Sequence, residues 1–406
     1  MNGFSDYNKI KNTKMKIDIN KIKLTPSNLG FKFCQYGELD AELKEWCEYW
    51  ELKTEKSGPF TNILLNSDSP ISEMFIEPKT FKYGDFMSPN LNKHLHIGHL
   101  SNLVIGKAFQ SLGISKKFIA IFGDTLDGSV DKQTALEKYY QYCEDFGYKV
   151  DAEYFASDMK IKDESILVDG DGDYKGSKCF DIDGEKIVGI KSTGSTTYFY
   201  QDVALAEELN DDTLYLTGFE QNGHFNLLNK LYPTVNHIGL GLVFLNGKKM
   251  SSSDGNIIYL EEFIEEMLLL FNNDIKLVYN ILAGQILKSL PTGKKTIDTK
   301  LLENPKISLG LYLSYTMAHI KSCGVTTKNI NQYKSQELQF AEIKAKTNLA
   351  PMVLFDALVN HCKSINQMYN TMHIKDNPDN IEIFSNLISD LELGMNKLGM
   401  FSIEKV

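Results

Sequence analysis

Between residues 83 and 123 the chain reads strand, helix, strand, and that order leaves few folds open. "YGDFM" (83–87) is strand-like and is stopped by Pro89. Residues 97 to 112 set Ile97, Leu100, Val104, Ala108 and Leu112 at helical spacing, with Gly113 as a suitable stop. "KFIAIFG" (117–123) is a continuous apolar run of buried-strand length. Two such strands joined by a helix imply a right-handed parallel crossover. Strand candidates at "EKIVGI", "TLYLTGF" and "GLVFL", with a helix at "VALAEEL", extend this to a doubly wound α/β sheet. Beyond residue 260 strand signals fade and helical periodicity runs to the end. The expected organisation is a small appended region over 1–75, a Rossmann-like domain over 76–260 with an acidic insertion at about 150–190, and an all-α domain over 261–406. In the first of these, "ELDAELKEWCEYWELK" is helix-like and "FTNILLN" strand-like.

Composition narrows the class. With 42% hydrophobic and 24% charged residues the 406-residue chain is ordinary for a soluble protein, and its length calls for two or three domains. No apolar run reaches bilayer length, and the N-terminus lacks the apolar core of a signal peptide, so a cytoplasmic location with no membrane partner is expected. Six widely spaced cysteines show neither zinc nor redox spacing and are expected as reduced thiols. The net charge of −10 argues against non-specific nucleic-acid binding, but it is uneven. Residues 276–346 carry eleven Lys against four Asp/Glu, a local +7, so a basic stripe stands behind the acidic total. "DGDGDY" (169–174) lacks the later ligands of a calcium loop and is expected as a solvated turn. All 43 basic residues are lysine, and no arginine occurs anywhere. AT-rich coding would enrich Lys, Asn and Ile and lower arginine, but it seldom abolishes it.

Two stretches carry chemistry. In "SPNLNKHLHIGHLSNLVIG" (88–106) three of the eight histidines fall within six positions, at the first turn of the expected helix. A helix N-terminus offers free N–H groups and partial positive charge to phosphate, and Gly98 lets a ligand approach the backbone. His96 and His99, three apart, share a face and can donate from their imidazoles. A metal pair would need a further His or carboxylate nearby, and none is evident. The second stretch, "NGKKMSSSDGN" (246–256), follows a strand and precedes a helix, and its Lys248 and Lys249 in a Gly/Ser loop suit a mobile phosphate clamp.

Together "HIGH" (96–99) and "KMSSS" (249–253) resemble the two ATP-binding signatures of class I aminoacyl-tRNA synthetases. The neighbouring residues resemble the arginyl-tRNA synthetase family in particular: Asp85-Phe86-Met87-Ser88-Pro89-Asn90 ahead of the first signature, Tyr198 and Asp202 in "YFYQD", Gln221, His224 and Phe225 in "EQNGHF", and "HIGLGLVFLNGKK" leading into the second. "YLSYTMAHI" (312–320), "INQMYN" (365–370) and "GMNKLGM" (394–400) resemble its helical anticodon-binding domain. The resemblance covers roughly residues 60 to 406. It implies a class I Rossmann-like catalytic domain followed by a helical-bundle anticodon domain. It implies ATP-dependent activation of arginine and transfer to tRNA(Arg), with Mg2+ accompanying ATP as substrate, no protein-bound metal and a monomeric state. By resemblance His96, His99, Lys248 and Lys249 are catalytic, and His96, Gly98, His99, Lys249, Met250, Ser251 and Ser252 hold ATP. Asp85, Ser88, Asn90, Tyr198, Asp202 and Gln221 hold arginine, while Tyr315, His319, Asn366 and Tyr369 meet tRNA. A guanidinium is planar, always charged and rich in donors, so a carboxylate fork from Asp85 and Asp202 suits it.

The chain departs from the family where arginine is usual: Ser101, Glu220, Ser253 and His319 stand there instead. Its N-terminal region is shorter than the tRNA-elbow domain of the family, and "GPFTNILLN" (58–66) resembles that domain's end. Two other readings are a paralogue that activates arginine or an analogue for a non-tRNA acceptor, and a non-catalytic tRNA-binding regulator. The helical domain counts against the first, and the intact histidine pair with a full amino-acid pocket counts against the second.

Overall fold

A computed structural model describes residues 14–24, 33–66, 68–125, 128, 130–249, 258–304, 306–374 and 377–405. Its centre is a five-stranded, all-parallel sheet in the order β12-β11-β5-β6-β7, built from β5 (Phe81–Asp85), β6 (Ser115–Phe122), β7 (Ala152–Phe155), β11 (Thr213–Gly218) and β12 (Val235–Leu240). The chain starts in the middle strand, winds outward through β6 and β7, then returns to wind the other way through β11 and β12. This is the doubly wound fold the sequence implies.

Both faces of the sheet are covered, which is why its strands are nearly continuous in apolar residues. In β6, Phe118, Ala120 and Phe122 join one core with helix α3 (His99–Leu112), while Ile119 points to the opposite core with helix α5 (Tyr198–Leu209). Helix α3 stops where Gly113 adopts φ +70°, a left-handed cap for which glycine carries no Cβ penalty. Asn102 ties α3 to the sheet by donating to the Leu216 carbonyl at 2.7 Å and the Phe86 carbonyl at 3.3 Å.

Two expected strands lie elsewhere. "EKIVGI" is β10 (Glu185–Ile190), which forms a three-stranded antiparallel sheet with β9 (Lys178–Ile182) and β8 (Leu167–Asp169). The cause is the Asp183-Gly184 turn, with φ of 55° and 84°, which folds β9 and β10 into a hairpin. "GLVFL" contains β13 (Val243–Leu245), which pairs with β14 (Lys248–Lys249) and β15 (Lys295–Ile297) outside the main sheet. The places in the main sheet belong instead to β7 and β12. Their sequences, "AEYF" and "VNHIGL", are too short or too interrupted by polar residues and glycine to read as buried strands alone. "DGDGDY" is a solvated turn, with one 3-10 turn over Gly172–Tyr174.

The N-terminal residues build a four-stranded antiparallel sheet, β1-β2-β4-β3, over Lys23–Leu24, Phe33–Tyr36, Phe60–Leu64 and Lys53–Ser57, with helices α1 (Ala41–Tyr49) and α2 (Ile71–Met74). Its core of Phe33, Trp46 and Phe75 packs on Phe340, 4.7 Å from the Phe33 ring. Phe340 belongs to α10 (Gln336–Thr347), so this region rests on the helical part of the chain. The C-terminal helices are α7 (Leu260–Leu270), α8 (Ile275–Leu287), α9 (Leu309–Ser322), α10, α11 (Met352–Tyr369) and α12 (Pro378–Lys397). One continuous apolar core joins them to α3 and the main sheet. Helices α4 (Lys132–Phe146) and α6 (Asn222–Leu231) complete the α/β part. Among the described residues no helix is long and apolar enough to cross a membrane.

Helices α8 and α9 touch backbone to backbone at two glycines. A Cβ on Gly310 would lie 1.9 Å from the Asn280 carbonyl oxygen, and one on Gly284 would lie 2.3 Å from the Gly310 nitrogen. Because backbone cannot yield as a side chain can, Gly310→Ala should destabilise the protein by about 3 kcal/mol, read as a lower urea midpoint.

Candidate active site

Strands β5 and β11 are neighbours on either side of the point where the winding reverses, and ligands of doubly wound sheets bind outside the carboxyl ends of the strands at such a point. Two polar pockets open there. They share Asp85, Ser88, Asn90, Thr217 and Gln221, so they form one continuous cleft.

The first pocket also contains Tyr198, Asp202, Tyr215 and His224. Asp85, the last residue of β5, is 3% exposed. Burial lifts its pKa to about 7; the hydroxyl of Ser88, which donates to it, opposes the rise, and the charge of Asp202 adds to it. Ser88 is itself fixed, accepting from the Ile121 N–H at 2.9 Å. Asp202 lies one turn into α5 and is bonded to His224 Nε2 at 2.6 Å. Tyr198, the first helical residue behind the Thr197 cap, is 48% exposed at the pocket edge. Asn90 lies over Gly123, where a Cβ would come 1.9 Å from Asn90 Oδ1; glycine at 123 leaves room for that amide. A buried carboxylate held partly protonated, with a second carboxylate beside it, is suited to a planar cation with several donors.

The second pocket is built on the histidine turn. The N–H of Gly98 donates to His96 Nδ1 at 3.0 Å, and the N–H of His96 donates to His99 Nδ1 at 3.0 Å. The Gly98 bond needs an unprotonated Nδ1 on His96 and so places the proton of that neutral ring on Nε2, whereas His99 Nδ1 also lies 3.2 Å from the His96 carbonyl, to which it donates in the other tautomer. Desolvation lowers the His99 pKa to about 3, assisted by His96; desolvation and Lys93 lower that of His96. The pair, with ring centroids 4.1 Å apart, is therefore neutral at pH 7, and His96 offers an Nε2–H donor rather than a full charge. Gly98 serves this arrangement directly. A Cβ there would lie 2.6 Å from the His96 ring, so the close approach that calls for glycine is made by imidazole.

Lys248 and Lys249 form β14 after a tight Asn246-Gly247 turn, whose φ values of 49° and 80° are those such a hairpin requires. Met250, Ser251, Ser252 and Ser253 lie outside the described residues. The chain beyond them is anchored to the histidine turn: the Ile97 N–H donates to the Ile258 carbonyl at 3.1 Å and the Leu260 N–H to the Leu95 carbonyl at 2.9 Å. The chain that resumes at Ile258 is thus tied to the histidine turn.

The positions that lack arginine have definite surroundings. Ser101 is 1% exposed, borders the histidine-side pocket, and its hydroxyl has no hydrogen-bond partner among the described residues. The Glu220 carboxylate folds over Gly218 at the mouth of the same pocket. His319 stacks on Tyr315 at 5.7 Å and meets Tyr369 edge-on at 4.7 Å, making an aromatic group with Tyr315 exposed. Asn366 is turned inward instead: its amide donates to the Tyr312 and Thr316 hydroxyls and the Cys362 carbonyl, tying α11 to α9.

Two pocket residues escape the sequence reading. Tyr215 pairs with Asp85 in the β5–β11 register, is 1% exposed, and has an unpartnered hydroxyl. Thr217 borders both pockets and is bonded to His237 Nε2 at 2.8 Å. They alternate with the core residues Leu214 and Leu216, so their facing follows from the strand, but only the register shows that Tyr215 reaches Asp85.

No family model matches the chain. Curated proteins do. An arginine–tRNA ligase of Limosilactobacillus fermentum is 23% identical over 80% of this chain and 81% of that protein, and one of Clostridium kluyveri is 24% identical over 94% and 73%. Among solved structures, the Thermus thermophilus arginyl-tRNA synthetase superposes with a TM-score of 0.66 at 15% identity, covering 95% of this chain and 96% of that one. The Plasmodium falciparum arginyl-tRNA synthetase gives 0.63 at 16% identity, with 95% of each covered. The chain is an arginyl-tRNA synthetase-like protein. Its α/β part has the class I synthetase fold, with a helical region following. Among the described residues of this synthetase-like chain, no group of His, Cys, Asp or Glu could hold a metal ion.

The raised pKa of Asp85 sets a pH dependence. Below about 7 the carboxylate is mostly protonated and cannot pair with a cation, so affinity of this pocket for a guanidinium compound, with arginine as the probe, should fall as pH drops from 8 to 6. Calorimetric titration should show that fall, and Asp85→Asn should bind weakly throughout with the pH dependence lost.

Proposed function

We propose that the chain activates arginine with ATP and transfers it to tRNA(Arg). The observation that carries this reading is the shared cleft. A pocket with two carboxylates opens directly into a pocket headed by two neutral imidazole donors, and Asn90 and Gln221 lie where the two meet. Asp85 and Asp202 would grip the guanidinium, with Tyr198 closing the edge. Asn90, Ser88 and Gln221 would orient the amino and carboxyl groups toward the nucleotide.

In the first step an arginine carboxylate oxygen attacks the α-phosphorus of ATP, forming arginyl-adenylate and releasing pyrophosphate. In the second, the 2′-hydroxyl of the tRNA terminal ribose attacks the adenylate carbonyl and AMP leaves. His96, from Nε2, and His99 donate to phosphate oxygens as charge builds in the transition state. Neutral imidazoles fit this task because they present donors without ion-pairing the ground-state triphosphate as strongly as a cation would. Lys248 and Lys249 supply the positive charge, Met250, Ser251 and Ser252 follow them toward ATP in the chain order of the second signature, and Mg2+ arrives with ATP as substrate. Tyr315, His319 and Tyr369 offer aromatic faces on which tRNA bases can stack. Asn366 contributes by holding α9 and α11 in place beneath them.

Arginine-dependent pyrophosphate release and charging of total tRNA test the reading together. Failure to charge any arginine tRNA would end it. Citrulline, which has nearly the shape of arginine without its charge, should be rejected, and Asp202→Asn should narrow that preference by weakening arginine binding. His96→Ala should lower kcat by about 10²–10³ with little change in arginine affinity, measured by ATP–pyrophosphate exchange.

A further inference from the structure

A chain with no arginine among its 406 residues has not given up cationic chemistry, since it carries 43 lysines. That work has all gone to lysine, and in places it is work for which a guanidinium is better fitted. Lys107 is 6% exposed, with its ammonium 3.8 Å from the Phe401 ring centre and 4.4 Å from that of Tyr279. Cations over aromatic faces are more often arginine, whose weaker hydration and high pKa keep it charged when buried. Lysine there is pushed down to about 7 by desolvation. Lys321 spans Glu392 at 3.3 Å and Glu404 at 2.6 Å and donates to Ser402 at 3.1 Å, a set of acceptors that a planar fork would also meet. The exclusion therefore extends into packed and multiply bonded positions. Coding bias readily explains lysine on an open surface, but it gives no reason for lysine between two rings.

We propose that this chain is a self-starting synthetase: its translation uses none of the arginyl-tRNA it produces, so it can establish arginine charging where no arginyl-tRNA exists. The inference rests on the arginylation reading above. Any arginine-containing synthetase made from the same starting state would stall at its first arginine codon.

The test is a reconstituted translation mixture with uncharged tRNA, free arginine and every synthetase except that for arginine. To it are added the gene for this chain and a reporter containing arginine codons. The reporter should appear after a lag, and the lag should vanish when purified protein is supplied at the start. The comparison is a variant carrying Lys56→Arg, Lys162→Arg, Lys178→Arg and Lys230→Arg. These side chains are more than half exposed and keep their partners Glu38, Glu208, Asp169 and Asp183. The purified variant should be as active as the parent, yet its gene should start no reporter unless purified protein is added. Two results would overturn the proposal: the variant gene starting the reporter as early as the parent, or the parent gene never starting it although purified parent protein supports it. If purified parent protein does not support the reporter either, the arginylation reading itself falls.

Discussion

The parallel pairing of β5 with β11 is the contact on which the site depends. These strands are remote in sequence, and between them the chain must wind out through β6 and β7 and return. The pairing leaves a gap at their carboxyl ends that neither helix layer fills. Asp85 ends one strand beside Tyr215 of the other, and the 3-10 turn at Phe219–Gln221 caps the second. A carboxylate is costly to bury, and among the described residues the Ser88 hydroxyl is the one side chain that donates to Asp85. A cation entering the site would supply the counter-charge that the ionised form calls for.

The histidine side is organised differently. It is arranged by backbone donors to imidazole, which leave the proton of neutral His96 on Nε2. The turn is braced by two hydrogen bonds to the chain just beyond the lysine-bearing loop. Both sides attach to the same helix, α3, whose Asn102 is fixed to the sheet and whose Lys107 packs against Phe401 near the C-terminus. Asn280 of α8 holds Phe401 through two backbone hydrogen bonds of 2.8 Å each. The helical part of the chain is thus joined to the histidine helix by packing and hydrogen bonds.

Much of this was legible in the residues. The strand–helix–strand order, the stop at Gly113 and the apolar run of β6 follow from local periodicity, which needs no tertiary information. The histidine turn was recognisable at the start of a helix, whereas the Asp85 and Asp202 carboxylates were singled out by the resemblance to the arginyl-tRNA synthetase family. Where the reading erred, a strand's sheet was at issue. "EKIVGI" and "GLVFL" are strands, but a strand's pattern carries its burial and not its partner, and tight hairpin turns drew both into side sheets. β7 and β12 were missed for the converse reason. Neighbouring strands and helices complete their burial, so their own residues need not be uniformly apolar.

The sequence by itself determined the doubly wound class, the helical second half and the identity of the charged and donor groups. It also determined that every cation other than histidine is a lysine. Only the tertiary structure decided which groups share a cleft and in what protonation state. The pKa of Asp85, the neutrality of His96 and His99, the inward turn of Asn366 and the presence of Tyr215 beside Asp85 all depend on desolvation and register. Both are set by contacts between residues far apart in the chain, and local sequence does not encode them.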